Sequence, residues 1–325
     1  MAASEEVIEL LCRKGYIFCG RIATGGTSSI YLIKSLKFND NFILKQIELK
    51  KLISCKRCEL EALRGLNSNM VIRLYDFEVA EDYIYLILEY CPMGSLEKIV
   101  KDDGPFERHK LLGIYKLILE ALRFIHSRKF AHSDIKPANI LVDRYGRSKF
   151  ADFGFSMKFR TDEISTQRAG SLNYLPPEII TQNQFDPFSA DIWSTGITFY
   201  YLATGTVPWP STQTEIIPAI VKGDLNWPAS FPEDIKEFIS KMVTLNPKER
   251  WSVDSLLKHP LLDGVDSKDG FLKSTLFPKK RPLMNSAKII VRKSVTNKPV
   301  CASPHAISKM SKRVQRSSVF NRDTF

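Results

Sequence analysis

The stretch that decides the fold is residues 132–139, which read His-Ser-Asp-Ile-Lys-Pro-Ala-Asn. It brings an acid, an amine and an amide close together in the chain, at Asp134, Lys136 and Asn139. By themselves, an aspartate and an asparagine beside a proline are common turn formers. A second polar motif, Asp-Phe-Gly at residues 152–154, gives the first one a chemical interpretation.

The two motifs are separated by a predicted hairpin. Its first strand is the apolar segment 140–142, and its turn is Arg-Tyr-Gly at residues 144–146. In this order and at this distance, the motifs resemble the catalytic loop H-R-D-L-x-x-x-N and the D-F-G motif of protein kinases. The resemblance extends over residues 16–262, which we therefore predict to be a protein kinase domain.

The resemblance implies a role for each polar residue. Asp134 would orient the acceptor hydroxyl and take its proton, and Lys136 would offset the charge of the migrating phosphoryl group. Asn139 and Asp152 would bind Mg²⁺, which prefers hard oxygen ligands and is commonly held by carboxylates together with the phosphates. The implied cofactors are ATP and Mg²⁺, and the implied reaction is transfer of the γ-phosphate to protein hydroxyls.

Upstream, a segment of small residues stands where the family has its glycine-rich loop over the ATP phosphates. Gly25 and Gly26 let the backbone approach phosphates closely. The segment departs from G-x-G-x-x-G-x-V, because Ala23 and Ser28 replace the first and third glycines and Ile30 replaces the valine. The resemblance still implies nucleotide contacts from this loop, namely from Ile22, Ala23, Gly25, Gly26, Ser28 and Ile30.

Three further positions complete the predicted nucleotide site. Lys45 ends an apolar segment and matches the strand lysine that holds the α- and β-phosphates. Glu59 precedes a helical apolar face, as the family's ion-pairing glutamate does, whereas its rival Glu61 is predicted to face solvent. The backbone of Glu89 and Cys91 resembles the hinge that binds the adenine edge.

The pattern of apolar residues predicts an α+β protein of two lobes with the protein kinase fold. Residues 1–15 form an N-terminal extension with a helix from Glu5 to Cys12, followed by a small β-rich N-lobe over about 16–90 with one helix at 54–66. A larger helical C-lobe occupies about 92–262, with helices around 111–125 and 190–204. The predicted strands of the N-lobe are Tyr16–Ile22, Ser29–Lys34, Phe42–Ile47, Val71–Val79 and Ile84–Glu89.

The end of the predicted domain carries more of the family's pattern. Residues 170–178 resemble the end of the activation segment, where Ser171 keeps the hydroxyl that serine/threonine kinases have. Asp191 matches the aspartate that ties down the catalytic-loop backbone, and Arg250 matches the arginine that pairs with Glu178.

The charge of the chain is unevenly distributed. The net charge is +11, and residues 264–325 alone hold 14 lysines and arginines against three acids. We predict that residues 263–325 are a largely disordered basic tail that can contact a polyanion such as nucleic acid, acidic lipid or a microtubule surface. No membrane span or secretory signal is expected, and the scattered cysteines suit a reducing compartment, the nucleus or cytoplasm.

Within the kinases, residues 132–139 and 173–178 look similar to the monopolar-spindle, or spindle-checkpoint, family. The resemblance implies a dual-specificity, mainly serine/threonine enzyme at kinetochores or spindle poles. It also implies kinetochore or spindle proteins as partners and autophosphorylation at Ser165, Thr166 or Ser171. Ser133 replaces the arginine that usually binds an activation-loop phosphate, so we expect less dependence on that phosphate. Members usually have a long N-terminal localisation region, whereas only residues 1–15 precede the predicted kinase domain in this sequence. We therefore expect targeting through the basic tail or a partner.

Two other interpretations stay open. One is another cell-cycle serine/threonine kinase family. The second is a pseudokinase scaffold, which is supported only by Ala23, Ser28 and Ser133. Loss of Lys45, Asp134 or Asp152 would have supported it further, but all three residues are present.

Overall fold

The computed structural model of the chain describes residues 4–25, 28–51, 58–159 and 163–266. Three predictions therefore fall partly outside the described residues. They concern Gly26 in the glycine-rich loop, the first part of the helix predicted at 54–66, and almost all of the basic tail, which begins at residue 263.

The N-lobe is built on a five-stranded antiparallel sheet, which together with the helical C-lobe confirms the predicted α+β class. Alternating or continuous apolar residues with β-branched and aromatic side chains form its strands. The strands lie in the order β1-β2-β3-β5-β4. Their bounds are β1 Tyr16–Thr24, β2 Ser28–Ser35, β3 Asn41–Glu48, β4 Leu74–Val79 and β5 Tyr83–Glu89.

Within the described part of the N-lobe there are two α-helices. Helix α1, Glu5–Lys14, covers one face of the sheet, and its buried Val7, Leu10 and Leu11 join a cluster that includes Tyr31 and Leu44. On the opposite face lies α2, Cys58–Gly65, whose Leu60 and Leu63 belong to the main core of the molecule. The sheet is thus covered on both faces, which fixes the position of β3 and of the lysine it carries.

The C-lobe consists mainly of helices around a buried central one. Helix α6 is buried over most of its length, as its nearly continuous apolar sequence predicts, and it passes so close to Met242 and Val243 that a Cβ at Gly196 would lie 2.7 Å from Val243. The helices are α3 Leu96–Asp103, α4 Arg108–Ser127, α5 Pro177–Thr181, α6 Pro187–Thr204, α7 Gln213–Lys222, α8 Glu233–Ser240 and α9 Val253–Leu257. Among the described residues, no helix is both long and apolar enough to cross a membrane.

In the described residues, two small two-stranded sheets flank the predicted catalytic segments. Strand β6, Phe130–Ala131, pairs with β9, Met157–Lys158, and β7, Ile140–Val142, pairs with β8, Ser148–Phe150. The β7–β8 pair is the hairpin predicted between the two polar motifs. Both sheets are antiparallel, and they place residues 132–139 beside residues 151–154.

The strand predicted to begin at Val71 begins only at Leu74, so this part of the prediction was wrong. The reason is a tertiary contact. Val71 forms a bridge to Phe150 of β8, and the amide of Ile72 donates to the carbonyl of Phe150 at 2.8 Å. These apolar residues therefore connect the N-lobe to the C-lobe instead of extending the five-stranded sheet.

Candidate active site

A buried lysine is held by two carboxylates at the centre of the predicted nucleotide site. The Nζ atom of Lys45, on β3, lies 2.7 Å from both carboxylate oxygens of Glu59 on α2 and 2.8 Å from Oδ1 of Asp152. Lys45 and Glu59 are buried, whereas Asp152 keeps about half of its side chain exposed. The rival Glu61 is exposed, as its position on the helix predicts.

The charges of Lys45, Glu59 and Asp152 shift one another's pKa values. Burial disfavours the ammonium of Lys45, but the carboxylates of Glu59 and Asp152 outweigh it and raise the lysine's pKa. The same lysine lowers the pKa of Asp152. Burial raises the pKa of Glu59, and Lys45 opposes that rise. A cation is therefore fixed at the floor of the cleft at neutral pH, next to an ionised aspartate.

A second cluster surrounds Asp134. Its Oδ2 accepts hydrogen bonds from Nζ of Lys136 at 2.8 Å and from Nδ2 of Asn139 at 2.9 Å. Its Oδ1 accepts from both the amide and the hydroxyl of Ser171 at 2.9 Å. Lys136 also donates to the Ser171 hydroxyl at 2.7 Å. The carboxylate is therefore buried and held in one orientation.

The catalytic-loop backbone is held by Asp191 from helix α6. The carboxylate of Asp191 accepts from the amides of His132 and Ser133 at 2.8 and 2.9 Å. Ser133 has a φ of 64°, a left-handed conformation that is unfavourable for a serine. The two amide bonds hold the loop in this conformation, which turns Asp134 towards the cleft.

His126, at the end of α4, makes a contact that the sequence did not indicate. Its Nε2 lies 3.0 Å from Oδ2 of Asp191, the aspartate that holds the loop. The two residues are 65 positions apart, and no local pattern connects a histidine near a helix end to an aspartate on another helix.

His132 joins the two clusters. Its Nδ1 accepts from the amide of Asp134 at 3.3 Å, and its Nε2 lies 3.1 Å from the carbonyl oxygen of Ala151. Burial lowers the pKa of His132, so a neutral ring that donates from Nε2 fits both contacts. Asn139 adds a backbone bond, since its carbonyl accepts from the amide of Ala151 at 2.9 Å. Asp134 and Asp152 thus belong to one rigid unit.

The predicted nucleotide-binding loop is the connection between β1 and β2. Ala23 pairs with Ile30, and the amide of Gly25 donates to the carbonyl of Ser28 at 2.8 Å, so both ends of the turn are fixed. Ile22 is more than half exposed.

The predicted hinge follows β5. The amide of Glu89 is bonded to the carbonyl of Arg73 at 2.9 Å, so the backbone atoms available for an adenine edge are the carbonyl of Glu89 and the amide of Cys91. The thiol of Cys91 is buried, and burial raises its pKa. At this position of the predicted hinge, contacts to a bound base would therefore come from the backbone.

The predicted metal ligands have oxygens suited to Mg²⁺. The Nδ2 group of Asn139 donates to the backbone carbonyl and to Oδ2 of Asp134. The Oδ1 atom of Asn139 is therefore the one left to bind a cation. Asp152 contributes a half-exposed carboxylate of which one oxygen is bonded to Lys45. A carboxylate and an amide oxygen, completed by phosphates and water, form a coordination set typical of Mg²⁺.

The described part of the predicted activation segment, from residue 163 on, is held by direct contacts. Ser165 pairs with Phe185 through two backbone hydrogen bonds of 2.8 and 3.0 Å, and Arg168 donates to the carbonyl of Gln182 and to Oδ1 of Asn183. Ser165 is buried, whereas Thr166 is exposed. Of the three predicted autophosphorylation positions, only Thr166 presents a free surface, since the Ser171 hydroxyl is bonded to Asp134 and Lys136.

The structure contains the predicted ion pair between Glu178 and Arg250. The two N–O contacts are 2.6 and 2.7 Å, and both side chains are almost completely buried. Arg250 also donates to the carbonyls of Thr244 and Ser189, so the pair ties the end of the activation segment to the C-lobe core.

We expect Arg250→Met to lower the free energy of unfolding by about 3–5 kcal/mol, because it leaves the buried carboxylate of Glu178 without its cation. Denaturant unfolding measures this effect. Arg123→Met is the control, since Arg123 is exposed and lies 3.8 Å from the exposed Asp254. A loss below about 1 kcal/mol, as for a surface pair, would contradict the structural role.

The chain belongs to the protein kinase family, because the family model of the protein kinase domain matches residues 16–262. The chain is similar to mouse Aurora kinase C, with 33% identity over 242 residues, which cover 74% of this chain and 86% of that protein. It is 30% identical over 238 residues to the mouse putative sperm motility kinase W, covering 73% of this chain and 48% of that protein.

A third relative is the mitosis inducer protein kinase cdr1 of Schizosaccharomyces pombe, 30% identical over 248 residues, which cover 76% of this chain and 42% of that protein. The chain thus spans about half the length of the sperm motility kinase and less than half of cdr1, but most of Aurora kinase C.

Proposed function

We propose that the chain is an active protein kinase that transfers the γ-phosphate of ATP to serine and threonine hydroxyls of proteins. The observation that carries the proposal is the pair of clusters that meet in one site. One fixes Lys45 between Glu59 and Asp152, and the other fixes Asp134 with Lys136 and Asn139. Among the described residues, the charged groups that the kinase motifs assign to phosphoryl transfer are therefore brought together and oriented, which supports the proposal.

In this mechanism the protein acts mainly by positioning and electrostatics. Lys45, held by Glu59, binds the α- and β-phosphates. The backbone of Glu89 and Cys91 binds the adenine edge, and the β1–β2 turn covers the phosphates. Asp134 orients the acceptor hydroxyl and takes its proton, and Lys136 balances the charge of the phosphoryl group as it moves.

Asn139 and Asp152 would hold the divalent cation, Mg²⁺, which neutralises the phosphate charge when it is bound. The bond from Lys45 to Oδ1 orients the carboxylate of Asp152. The two bonds from Nδ2 orient the amide of Asn139. Both ligands are therefore preorganised by residues of the same site.

The amino-acid specificity follows from Lys136 and Ser171, the pair typical of serine/threonine kinases, which are bonded to each other beside Asp134. Phosphoamino-acid analysis of dephosphorylated casein after incubation with the chain and Mg-ATP tests it. We expect phosphoserine and phosphothreonine. Additional phosphotyrosine would establish the dual specificity predicted from the monopolar-spindle resemblance, and phosphotyrosine alone would contradict the proposal.

We further propose a role in cell division. It is supported by the resemblance of residues 132–139 and 173–178 to spindle-checkpoint kinases. Similarity to Aurora kinase C and to the mitosis inducer protein kinase cdr1 also supports it. The 33% identity to Aurora kinase C favours the alternative of another cell-cycle family over the monopolar-spindle family. Kinetochore or spindle partners and a nuclear or cytoplasmic location belong to the same proposal.

Activity without an activation-loop phosphate is part of the proposal. Ser133 stands where the family has its phosphate-binding arginine, and the described part of the activation segment is held by Arg168 and by the Ser165–Phe185 pair instead. Since these contacts need no added charge, the substrate-binding surface is formed in the unphosphorylated chain.

We therefore expect phosphatase-treated protein to keep its initial rate of peptide phosphorylation within a few-fold of the untreated rate. Thr166→Ala should behave in the same way, because the Thr166 side chain is exposed. Ser171→Ala should lose activity, since it removes a hydroxyl bonded to Asp134 and Lys136. A fall of roughly tenfold or more after phosphatase treatment, about 1.4 kcal/mol in the barrier, would contradict phosphate independence.

A further inference from the structure

A cleft of about 580 Å³ lies behind the predicted hinge and is distinct from the nucleotide site. Its walls come from both lobes. The N-lobe contributes the β2–β3 turn, residues 67–69 and the start of β4, and the C-lobe contributes the β7–β8 hairpin. We call it the back cleft and define it by Asp40, Arg73, Tyr75, Glu89, Arg144 and Tyr145, which are among its lining residues.

The acids deep in the back cleft are neutralised by buried or fixed partners. Asp143 is buried and accepts from the amides of Tyr145 and Arg147 as well as from the Arg147 side chain at 2.7 Å. Glu89 is bonded to the buried Lys149 at 3.1 Å. The floor of the cleft is therefore rigid and carries no excess charge.

The charge that reaches solvent is mainly positive. Arg144 and Arg147 are nearly half exposed, and Arg144 binds Asp40, the acid of the lining whose side chain is also nearly half exposed, at 2.7 and 2.9 Å. Arg73 is exposed as well, and its guanidinium lies 5.3 Å from the centre of the Tyr75 ring. Among the described residues, no carboxylate lies within ion-pair distance of the Arg73 side chain. One cation of the back cleft is thus not matched by an acid.

Two tyrosines give the back cleft aromatic surfaces at its N-lobe and C-lobe sides. Tyr75 is 49% exposed and is supported edge-on by Phe42, with ring centres 4.9 Å apart. Tyr145 is 54% exposed, and the guanidinium of Arg147 lies 5.0 Å from its ring centre. Tyrosine and arginine are the residues enriched where protein surfaces bind other proteins, because they combine large contact area with polar groups.

We propose that the back cleft docks an acidic linear segment of a partner protein, with a carboxylate of the segment paired to Arg73 and its chain lying across Tyr75 and Tyr145. A small anion would leave the aromatic surfaces uncovered. Nucleic acid fits less well, because Asp40 lies at the rim and Glu89 in the wall, whereas binding of phosphate backbones requires a run of cations. The proposal does not depend on phosphoryl transfer.

A segment bound in the back cleft would also affect the predicted nucleotide site. The carboxylate of Glu89 faces the back cleft and is bonded to Lys149, whereas the backbone of Glu89 belongs to the predicted adenine-binding hinge. The Asp40–Arg144 bond connects the lobes on the same side. A segment that contacts both walls therefore binds to both lobes and stabilises one arrangement of them.

The test is fluorescence anisotropy with the full chain and no nucleotide. The probe is a fluorescein-labelled eight-residue peptide that alternates glutamate and leucine and carries no hydroxyl that a kinase could phosphorylate. We expect saturable binding that weakens with salt. Arg73→Glu should weaken it by about tenfold or more, which corresponds to 1.4 kcal/mol. Tyr145→Ser should weaken it several-fold.

Arg123→Glu, the same charge change on the exposed face of α4, is the matched control and should bind as the wild type does. Thermal melts check that the variants are folded. Absence of binding to the wild type would overturn the proposal. So would binding that Arg73→Glu leaves unchanged, which would place the peptide on another basic part of the chain. The proposal would also be overturned if octathymidine or a lysine–leucine peptide bound more tightly than the glutamate–leucine peptide and this binding depended on Arg73.

Discussion

Asp134→Asn is expected to reduce the rate of phosphoryl transfer by about 10²–10⁴-fold, the contribution of a positioned general base. Asp134 is the residue proposed to orient the acceptor hydroxyl, and its carboxylate is held in place by Lys136, Asn139 and Ser171. Asparagine keeps the size of the side chain but removes the charge that orients the hydroxyl and takes its proton. The measurement is the initial rate with a peptide substrate at saturating Mg-ATP, with ATP affinity measured separately.

ATP affinity should be nearly unchanged in Asp134→Asn, because Lys45, Asp152 and the hinge are intact. Some loss of stability is expected, about 1–3 kcal/mol, since the new amide group meets donors from Ser171, Lys136 or Asn139. Asp82→Asn, on the exposed β4–β5 turn, is the control for the charge change. Transfer by folded Asp134→Asn at a rate near that of the wild type would exclude Asp134 as the base.

Lys45→Met has the second largest expected effect. The substitution removes the cation proposed to bind the phosphates and leaves Glu59 buried beside Asp152 without a positive partner. We expect kcat/KM for ATP to fall by about 10²–10³-fold, the range for loss of one preorganised electrostatic group. The free energy of unfolding should fall as well, by about 3–5 kcal/mol, because a buried charge loses its partner.

Steady-state kinetics and denaturant unfolding of the same preparation separate the two effects of Lys45→Met. Lys50→Met is the matched control, because Lys50 lies on the surface and pairs with the half-exposed Asp82. It should leave both the kinetics and the stability close to wild type. Unchanged kcat/KM in folded Lys45→Met would mean that the phosphates are held elsewhere.

Most of the site could be predicted because its residues lie in motifs with fixed spacing. Asp134 and Asn139 are five residues apart in one loop, so the loop conformation alone brings Nδ2 of Asn139 to Asp134. Helical periodicity was enough to choose Glu59 over Glu61, since only one of the two faces the core. In both cases the information is local in the sequence.

Contacts between distant segments left no such local signal. The amphipathic helix at the N-terminus was predicted, but not that Val7 and Leu10 cover the outer face of the sheet. The start of β4 was misplaced because Val71 pairs with Phe150, which lies far along the chain. The bond between Asp40 and Arg144 joins residues 104 positions apart, so the back cleft became visible only in the folded chain.

The measurement that tests the central claim most directly is transfer of radiolabelled phosphate from ATP by wild type and Asp152→Ala, side by side, onto the chain itself and onto casein. We predict acid-stable phosphoserine and phosphothreonine with the wild type, and their loss in the variant, which lacks the carboxylate proposed to hold Mg²⁺. No transfer by well-folded wild type with Mg-ATP, or equal transfer by both proteins, would contradict the assignment of an active kinase.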